Sequence, residues 1–416
     1  MDLNSILLFS AILACVYMAC NIGANDVANA MGTSVGSKAL TFKQAILVAA
    51  VAEFAGAFLV GGHVSDTIRK GMLDPAIFQD APLHLVYGMI SALIAAAVWL
   101  HIASSLGWPV STTHSIVGAV VGFGIVAGGW DALNWVKVGK VVLSWIFSPA
   151  VGALVSFLLF RFLSRKIFNT RNPLQHTKEI LPFLVFLVFV ILSQSMVYKG
   201  LKNLRLDLQF SQAAMISIAV GFIAFFVAKL LVPRDKEPTG ENLQAQFVST
   251  EGIFRYLQII TAFYVAFAHG SNDVANAVGP LAAVVSILKE GSVHMQVEMP
   301  LWILGLGGAC IVIGLLIWGR RVMQTIGKKI TEMTPSRGFC AEFGAATVVL
   351  VCSKLGLPIS TTHTLVGSVV GVGLARGLPT LNLSIIKTIF VSWAATIPFT
   401  ALFSIIFFKI MLFLFG

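Results

Sequence analysis

Gly23-Ala24-Asn25-Asp26-Val27-Ala28-Asn29-Ala30 recurs as Gly270-Ser271-Asn272-Asp273-Val274-Ala275-Asn276-Ala277, identical at seven of eight positions. A second stretch behaves the same way. Pro109-Val110-Ser111-Thr112-Thr113-His114, continuing to Gly124, recurs from Pro358 to Gly373 with eleven of sixteen positions identical. The two offsets are 247 and 249 residues, and the order is kept. Low complexity does not produce this, because the matches include Asn, Asp, His and Pro. The chain therefore reads as two copies of one unit: residues 1–160 as the first repeat, 161–256 as a central helical pair with its connecting loops, and 257–416 as the second repeat.

What surrounds these motifs is apolar. Of 416 residues, 57% are hydrophobic and 11% charged, where a soluble domain carries about a quarter charged residues. Runs at 44–62, 83–104, 136–160, 180–197, 212–232, 300–318 and 385–408 are each near the ~20 helical residues that cross a hydrocarbon core. Shorter or interrupted apolar segments lie at 5–20, 114–129, 257–268, 340–353 and 363–375. None alternates like a barrel strand. The expected fold is all-α, a polytopic membrane protein of about ten to twelve helical segments, some of them broken at the site. The first basic residue is Lys38, so residues 5–20 lack the basic n-region of a cleavable signal and read as a retained first helix.

The net charge of +10 does not imply nucleic acid. Arg161, Arg165, Lys166, Arg171 and Lys178 crowd one connection, and Arg234, Lys236 and Arg255 another, while the link between them has Lys199, Lys202 and Arg205. If 180–197 and 212–232 pair, the two richer connections share a face, which the positive-inside bias makes cytoplasmic. Pro233 to Asn242 reads as an exposed loop. The five cysteines (Cys15, Cys20, Cys310, Cys340, Cys352) have no metal-type spacing and read as membrane-packing residues.

The repeated polar residues carry the chemistry. At helical spacing Asn25 and Asn29 share a face with Asp26 beside them, and Asn272, Asp273 and Asn276 repeat the set. A carboxylate with two amide oxygens suits Na⁺, or a proton on the Asp. Gly23 and Gly32 would permit local unwinding that frees carbonyls as further ligands. Interhelical hydrogen bonding is the plainer alternative, but an ionisable residue inside the membrane in both copies points to an ion pathway. Pro109 breaks one helix, and Ser111, Thr112 and Thr113 begin the next. Free N–H groups and the positive dipole end there suit an anion, and the hydroxyls add donors without fixed charge. Ser360, Thr361 and Thr362 supply the same from the second copy, so paired starts could replace the hydration shell of a tetrahedral oxyanion. Ordinary capping is the alternative use of these hydroxyls. His114 and His363 could donate to the anion, shuttle a proton or fasten the helix start. Glu53 and Glu342 share a Glu-Phe core but not a repeat position, and each must be paired, protonated or facing water. Parallel or inverted copies remain equally open, since that depends on an odd or even number of crossings between them.

On Gly-Ala-Asn-Asp-Val-Ala-Asn-Ala, Pro-x-Ser-Thr-Thr-His-x-x-Val-Gly and the two Glu segments, the chain resembles the inorganic phosphate transporter (PiT) family over nearly its full length. The resemblance implies cation-coupled phosphate symport, with Na⁺ or H⁺ as coupling ion and no other cofactor, an inverted repeat and a homodimer in the inner or plasma membrane. It implies cation coupling at Asp26 and Asp273, a phosphate site at Ser111–Thr113 and Ser360–Thr362, and a transport requirement for Glu53 and Glu342. Two other functions are weighed beside it: a sulfate or other oxyanion permease on the same scaffold, and an intramembrane hydrolase using Ser111 or Thr112 with His114, for which no third orienting group is evident.

Overall fold

The computed structural model describes residues 2–61, 72–197, 208–232, 242–293, 299–354 and 359–416. Several residues read above from sequence, namely Lys199, Lys202, Arg205, Pro233, Arg234, Lys236 and Pro358, lie outside the described residues. Within them the chain is helical throughout, with one isolated antiparallel bridge between Leu73 and Leu133. Among the described residues, nine helical stretches are long and apolar enough to cross a membrane. The apolar helix Thr112–Gly128 is shorter. The all-α, polytopic expectation holds.

Numbered along the chain, α1 is Leu3–Ile22 and α2 is Ala28–Gly36, joined by a π-turn over Gly23–Val27. The three form one helical rod of 34 residues, about 50 Å long at 1.5 Å per residue. The first Asn-Asp-Asn motif therefore sits on a widened turn within a continuous rod, where an unwound stretch was expected. Next come α3 (Phe42–Val60), α4 (Pro82–Leu106), α5 (Thr112–Gly128) and α6 (Trp135–Leu163). The central pair is α7 (Pro173–Ser195) and α8 (Phe210–Leu231). Then α9 (Leu243–Asp273) and α10 (Ala275–Glu290) meet at Val274, within the second Asn-Asp-Asn motif. The last set is α11 (Leu301–Trp318), α12 (Arg320–Gln324), α13 (Pro335–Lys354), α14 (Thr361–Arg376) and α15 (Leu383–Phe415).

Burial separates the centre from the rim. In α4, 78% of the apolar window is buried, against 11% in α8, so α4 is a core helix and α8 faces lipid along most of its length. The hydrophobic residues exposed on α8, such as Met215, Ile223 and Leu230, need no partner in a bilayer.

Local signals explain the breaks. Gly107 ends α4 in the left-handed region at φ 71°. Ser111 then starts α5, its hydroxyl accepting the His114 amide at 3.2 Å, and Ser360 does the same for His363 at the start of α14. Asn134 and Asn382 cap α6 and α15 in the same manner. From neighbouring starts, α5 and α14 run to opposite ends of the bundle. Gly124 of α5 meets Leu73 and Leu133, whereas Arg376 of α14 meets Thr331 and Glu332. The repeats are interleaved: Gly122 of α5 lies against the backbone of Ala401 in α15, and Gly371 of α14 against that of Ala153 in α6.

Candidate functional site

The two motifs close on each other across both repeats. Thr112 Oγ1 donates to Asp26 Oδ2 at 2.6 Å, and Thr361 Oγ1 donates to Asp273 Oδ2 at 2.9 Å. Further contacts cross between copies: Asn29 Nδ2 donates to Thr362 Oγ1 at 2.7 Å, and Asn276 Nδ2 to Thr113 Oγ1 at 3.3 Å. Thr362 Oγ1 also lies 2.9 Å from Asp26 Oδ1, and Asn276 Nδ2 3.1 Å from Thr112 Oγ1. All these side chains are buried except that of Thr361, which is half-buried. Residues far apart in the chain thus form one polar knot in an apolar bundle.

Asn25 is used differently from Asn29. Its Nδ2 donates to Ser104 Oγ and the Trp108 carbonyl, both at 3.0 Å, and its Oδ1 accepts the Val110 amide at 3.1 Å. It ties the π-turn to the link between α4 and α5. Asn272 is half-buried. The Oδ1 of Asn29 is buried without a hydrogen-bond partner among the described residues, an oxygen open to a cation.

The histidines of the hydroxyl motif turn away from the knot. His114 and His363 face each other edge to face at 4.2 Å between centroids. His114 lies on Trp145 at 3.7 Å and His363 on Trp393 at 3.5 Å. Of the three uses open to them, the structure supports fastening: four rings clamp the starts of α5 and α14. No hydrogen bond joins the Ser111 or Thr112 hydroxyl to the His114 ring among the described residues: Ser111 caps the helix and Thr112 donates to Asp26.

A third histidine, not anticipated from sequence, lies at the centre. His269 Nε2 is 2.8 Å from Asp273 Oδ2 and 3.5 Å from Asp26 Oδ2, and Nδ1 is 2.9 Å from both oxygens of Glu53. Three carboxylates converge on one imidazole: Nδ1 is hydrogen-bonded to Glu53, while Nε2 is close to Asp273 and Asp26 without a well-aligned hydrogen bond. Glu53 has its partner here. One atom from each of Asp26, His269 and Asp273 can be chosen so that all lie within 4.8 Å of one another, a spacing that could hold a cation. The available sequence signal is small: Ala268-His269-Gly270 stands where the first copy has Asn21-Ile22-Gly23.

Glu342 is satisfied by neutral donors instead. Its Oε1 accepts from Thr33 at 2.7 Å, Ser34 at 2.8 Å and Gln258 at 3.1 Å, and its Oε2 accepts from Thr261 at 2.5 Å. Thr33 and Ser34 belong to α2, just beyond Asn29. The two glutamates therefore flank the knot in unlike settings, one ionic and one hydroxylic.

A cavity of about 20 Å³ beside the knot is lined by Asp26, Asn29, His269 and Thr361. That is room for one water, not for a tetrahedral oxyanion.

A bundle of lipid-length helices, sealed round a polar centre shared by two repeats, defines a multi-pass membrane carrier. The sequence profile of the phosphate transporter family matches residues 22–404, and the chain belongs to that family. A protein of Thermococcus kodakarensis named as a phosphate permease is 49% identical over 397 residues, covering 95% of each chain. A chloroplastic inorganic phosphate transporter of Arabidopsis thaliana is 46% identical over 427 residues, covering 97% of this chain and 72% of its own length. A solved structure described as a sodium-dependent phosphate transporter superposes with a TM-score of 0.88 at 43% identity, covering 98% of this chain and 99% of that one. The family is one of phosphate transporters and not of enzymes.

Proposed function

We propose that this chain imports inorganic phosphate by cation symport, with Na⁺ as the coupling ion and alternating access as the mechanism. One observation carries the reading. The hydroxyls of Thr112 and Thr362, which suit an oxyanion, lie within hydrogen-bonding distance of the Asp26 carboxylate, and that of Thr361 within the same distance of Asp273. Those carboxylates engage the hydroxyl donors that substrate oxygens would need. A cation taken by Asp26 and Asn29, and another by Asp273, Asn276 and Asn272, draws carboxylate lone pairs away and releases the hydroxyls, while Asn25, expected as a further ligand, holds the π-turn to the α4–α5 link. Phosphate then binds Thr112, Thr113, Thr361 and Thr362, with Ser111 and Ser360 holding the two helix starts in place. Binding is ordered, cation first, because the cation removes the competitor. The site's small volume requires the knot to open as phosphate enters, and differential affinity of the two access states drives the cycle.

The opposite courses of α5 and α14 support an inverted relation between the copies. Sodium rather than proton coupling is supported by the sodium dependence of the similar solved protein. The same reading carries a homodimer in the plasma or inner membrane, testable by mass in detergent. Phosphate uptake into proteoliposomes, with Na⁺ and pH gradients imposed separately, tests the coupling. Accumulation should follow the Na⁺ gradient, and uptake indifferent to both gradients overturns symport. A sulfate carrier is the second reading. Asp26 and Asp273 can accept a hydrogen bond from protonated phosphate and not from sulfate, so sulfate in tenfold excess should leave uptake largely intact.

A further inference from the structure

A cavity of about 830 Å³ opens at the end of the bundle where α2 and α14 finish. It is bounded by the end of α2, the turn from Gly327 to Pro335, the stretch Pro379–Asn382 and the start of α9. Three lysines line it: Lys38, Lys328 and Lys329. All are exposed to the opening, and none makes an ion pair with a described residue.

The two carboxylates on the same wall are already engaged. Glu251 accepts from the Ser336 amide and hydroxyl, both at 2.8 Å. Glu332 pairs with Arg337 at 3.3 Å and Arg376 at 3.4 Å. The three lysines outnumber the two carboxylates of the lining, and neither carboxylate pairs with any of them. Lys38 adds a second oddity. It follows α2 at φ 64°, the one non-glycine residue with positive φ in the described chain. Helices usually end that way on glycine, yet here a long cationic side chain is retained.

Polar side chains also lie between the cavity and the centre. Asn29, Thr33 and Ser37 stand four residues apart on one face of α2 and its end. Asn29 bonds Thr362 in the knot, Thr33 bonds Glu342, and Ser37 bonds Gln258 while lining the cavity. A line of polar groups thus runs from the lysines to the polar knot.

We propose that this cavity is a second anion site, separate from the central one, which takes a small phosphate-bearing anion on Lys38, Lys328 and Lys329. The identity of the anion rests on the phosphate reading of the centre. The chemistry required is a phosphate group with two or three accessible oxygens, whether free inorganic phosphate in transit or the headgroup of an anionic lipid at the membrane edge. Ammonium groups on flexible stems hold such a group as point charges, so the site is weaker than the centre and screened by salt. As an antechamber it raises the local concentration of the anion at one mouth of the carrier.

The test is equilibrium binding of inorganic [³²P]phosphate to the full chain in phosphatidylcholine nanodiscs with Na⁺ present. The wild type should show two classes of site. The triple variant Lys38→Gln, Lys328→Gln, Lys329→Gln should weaken the weaker class at least tenfold and leave the tighter class, which also reports that it is folded. The variant Thr112→Val, Thr361→Val should do the reverse. Choline chloride should weaken only the class that the lysines supply. In nanodiscs containing phosphatidic acid, loss of the weaker class identifies the lipid headgroup as occupant, and its persistence identifies free phosphate. A single class of site in every lipid, or a triple variant with an unchanged isotherm, overturns the proposal. If the threonine variant keeps the tighter class, the central reading fails and the antechamber stands.

Discussion

His269→Ala would strand Glu53, because the imidazole is the ionic partner that lies 2.9 Å from both its carboxylate oxygens. Removing one member of a buried pair costs about 3–5 kcal/mol, so the thermal midpoint in detergent should fall sharply. Adding Glu53→Gln to the same chain should recover part of that loss, since an amide is less costly to leave buried than a carboxylate; a double variant no more stable than His269→Ala counts against this pairing. Glu342 should behave more mildly. Its four donors are hydroxyls and one amide that can turn, so Glu342→Gln should lose about 1–2 kcal/mol and Glu342→Ala clearly more. The need for partners was legible in the sequence, because a carboxylate in an apolar run must be satisfied somehow. Which partner was not. His269 has no counterpart in the first copy, where Ile22 stands, and a search for repetition passes over what is not repeated.

At the scale of elements, two features make predictions. Gly23 lies where α1 crosses α11, and a Cβ there would come within 1.8 Å of the Ile311 carbonyl oxygen. Gly23→Val should therefore force the rod away from α11 and yield little monodisperse protein, while Ala24→Ser next to it serves as the control for the motif. The caps at Ser111 and Ser360 are matched in geometry, 3.2 Å in each. Ser111→Ala and Ser360→Ala should each cost about 1 kcal/mol, read as similar falls in thermal midpoint; a large difference between them would show that one hydroxyl does more than cap. The long apolar helices were readable because lipid leaves composition and length as their main determinants. The π-turn was not, since Gly23 signals either unwinding or close approach, and only the position of Ile311 decides between them.

Over the whole molecule, the two ends of the bundle should label from opposite sides. Single cysteines at Lys328 and Thr380 should react with one membrane-impermeant reagent from the side that carries Arg165 and Lys166, and cysteines at Asp74 and Trp130 only from the other. Labelling of both pairs from one side would contradict the opposite courses of α5 and α14. The recurrence of the motifs was legible from sequence because their polar residues return in the same order at offsets of 247 and 249. The interleaving of its halves was not, since the small residues that let Gly122 meet Ala401 and Gly371 meet Ala153 look the same whether a neighbour comes from the same copy or the other.

The unlike settings of Glu53 and Glu342 bear on how such a carrier rests. Two interchangeable halves would leave the empty protein facing either compartment with equal ease, as a balanced rocker does. Glu53 is fastened by an imidazole and Glu342 by neutral donors, so tilting one way strains a different kind of bond from tilting the other. If the carrier rocks as proposed, its two access states then differ in free energy, and it rests in one of them more than in the other.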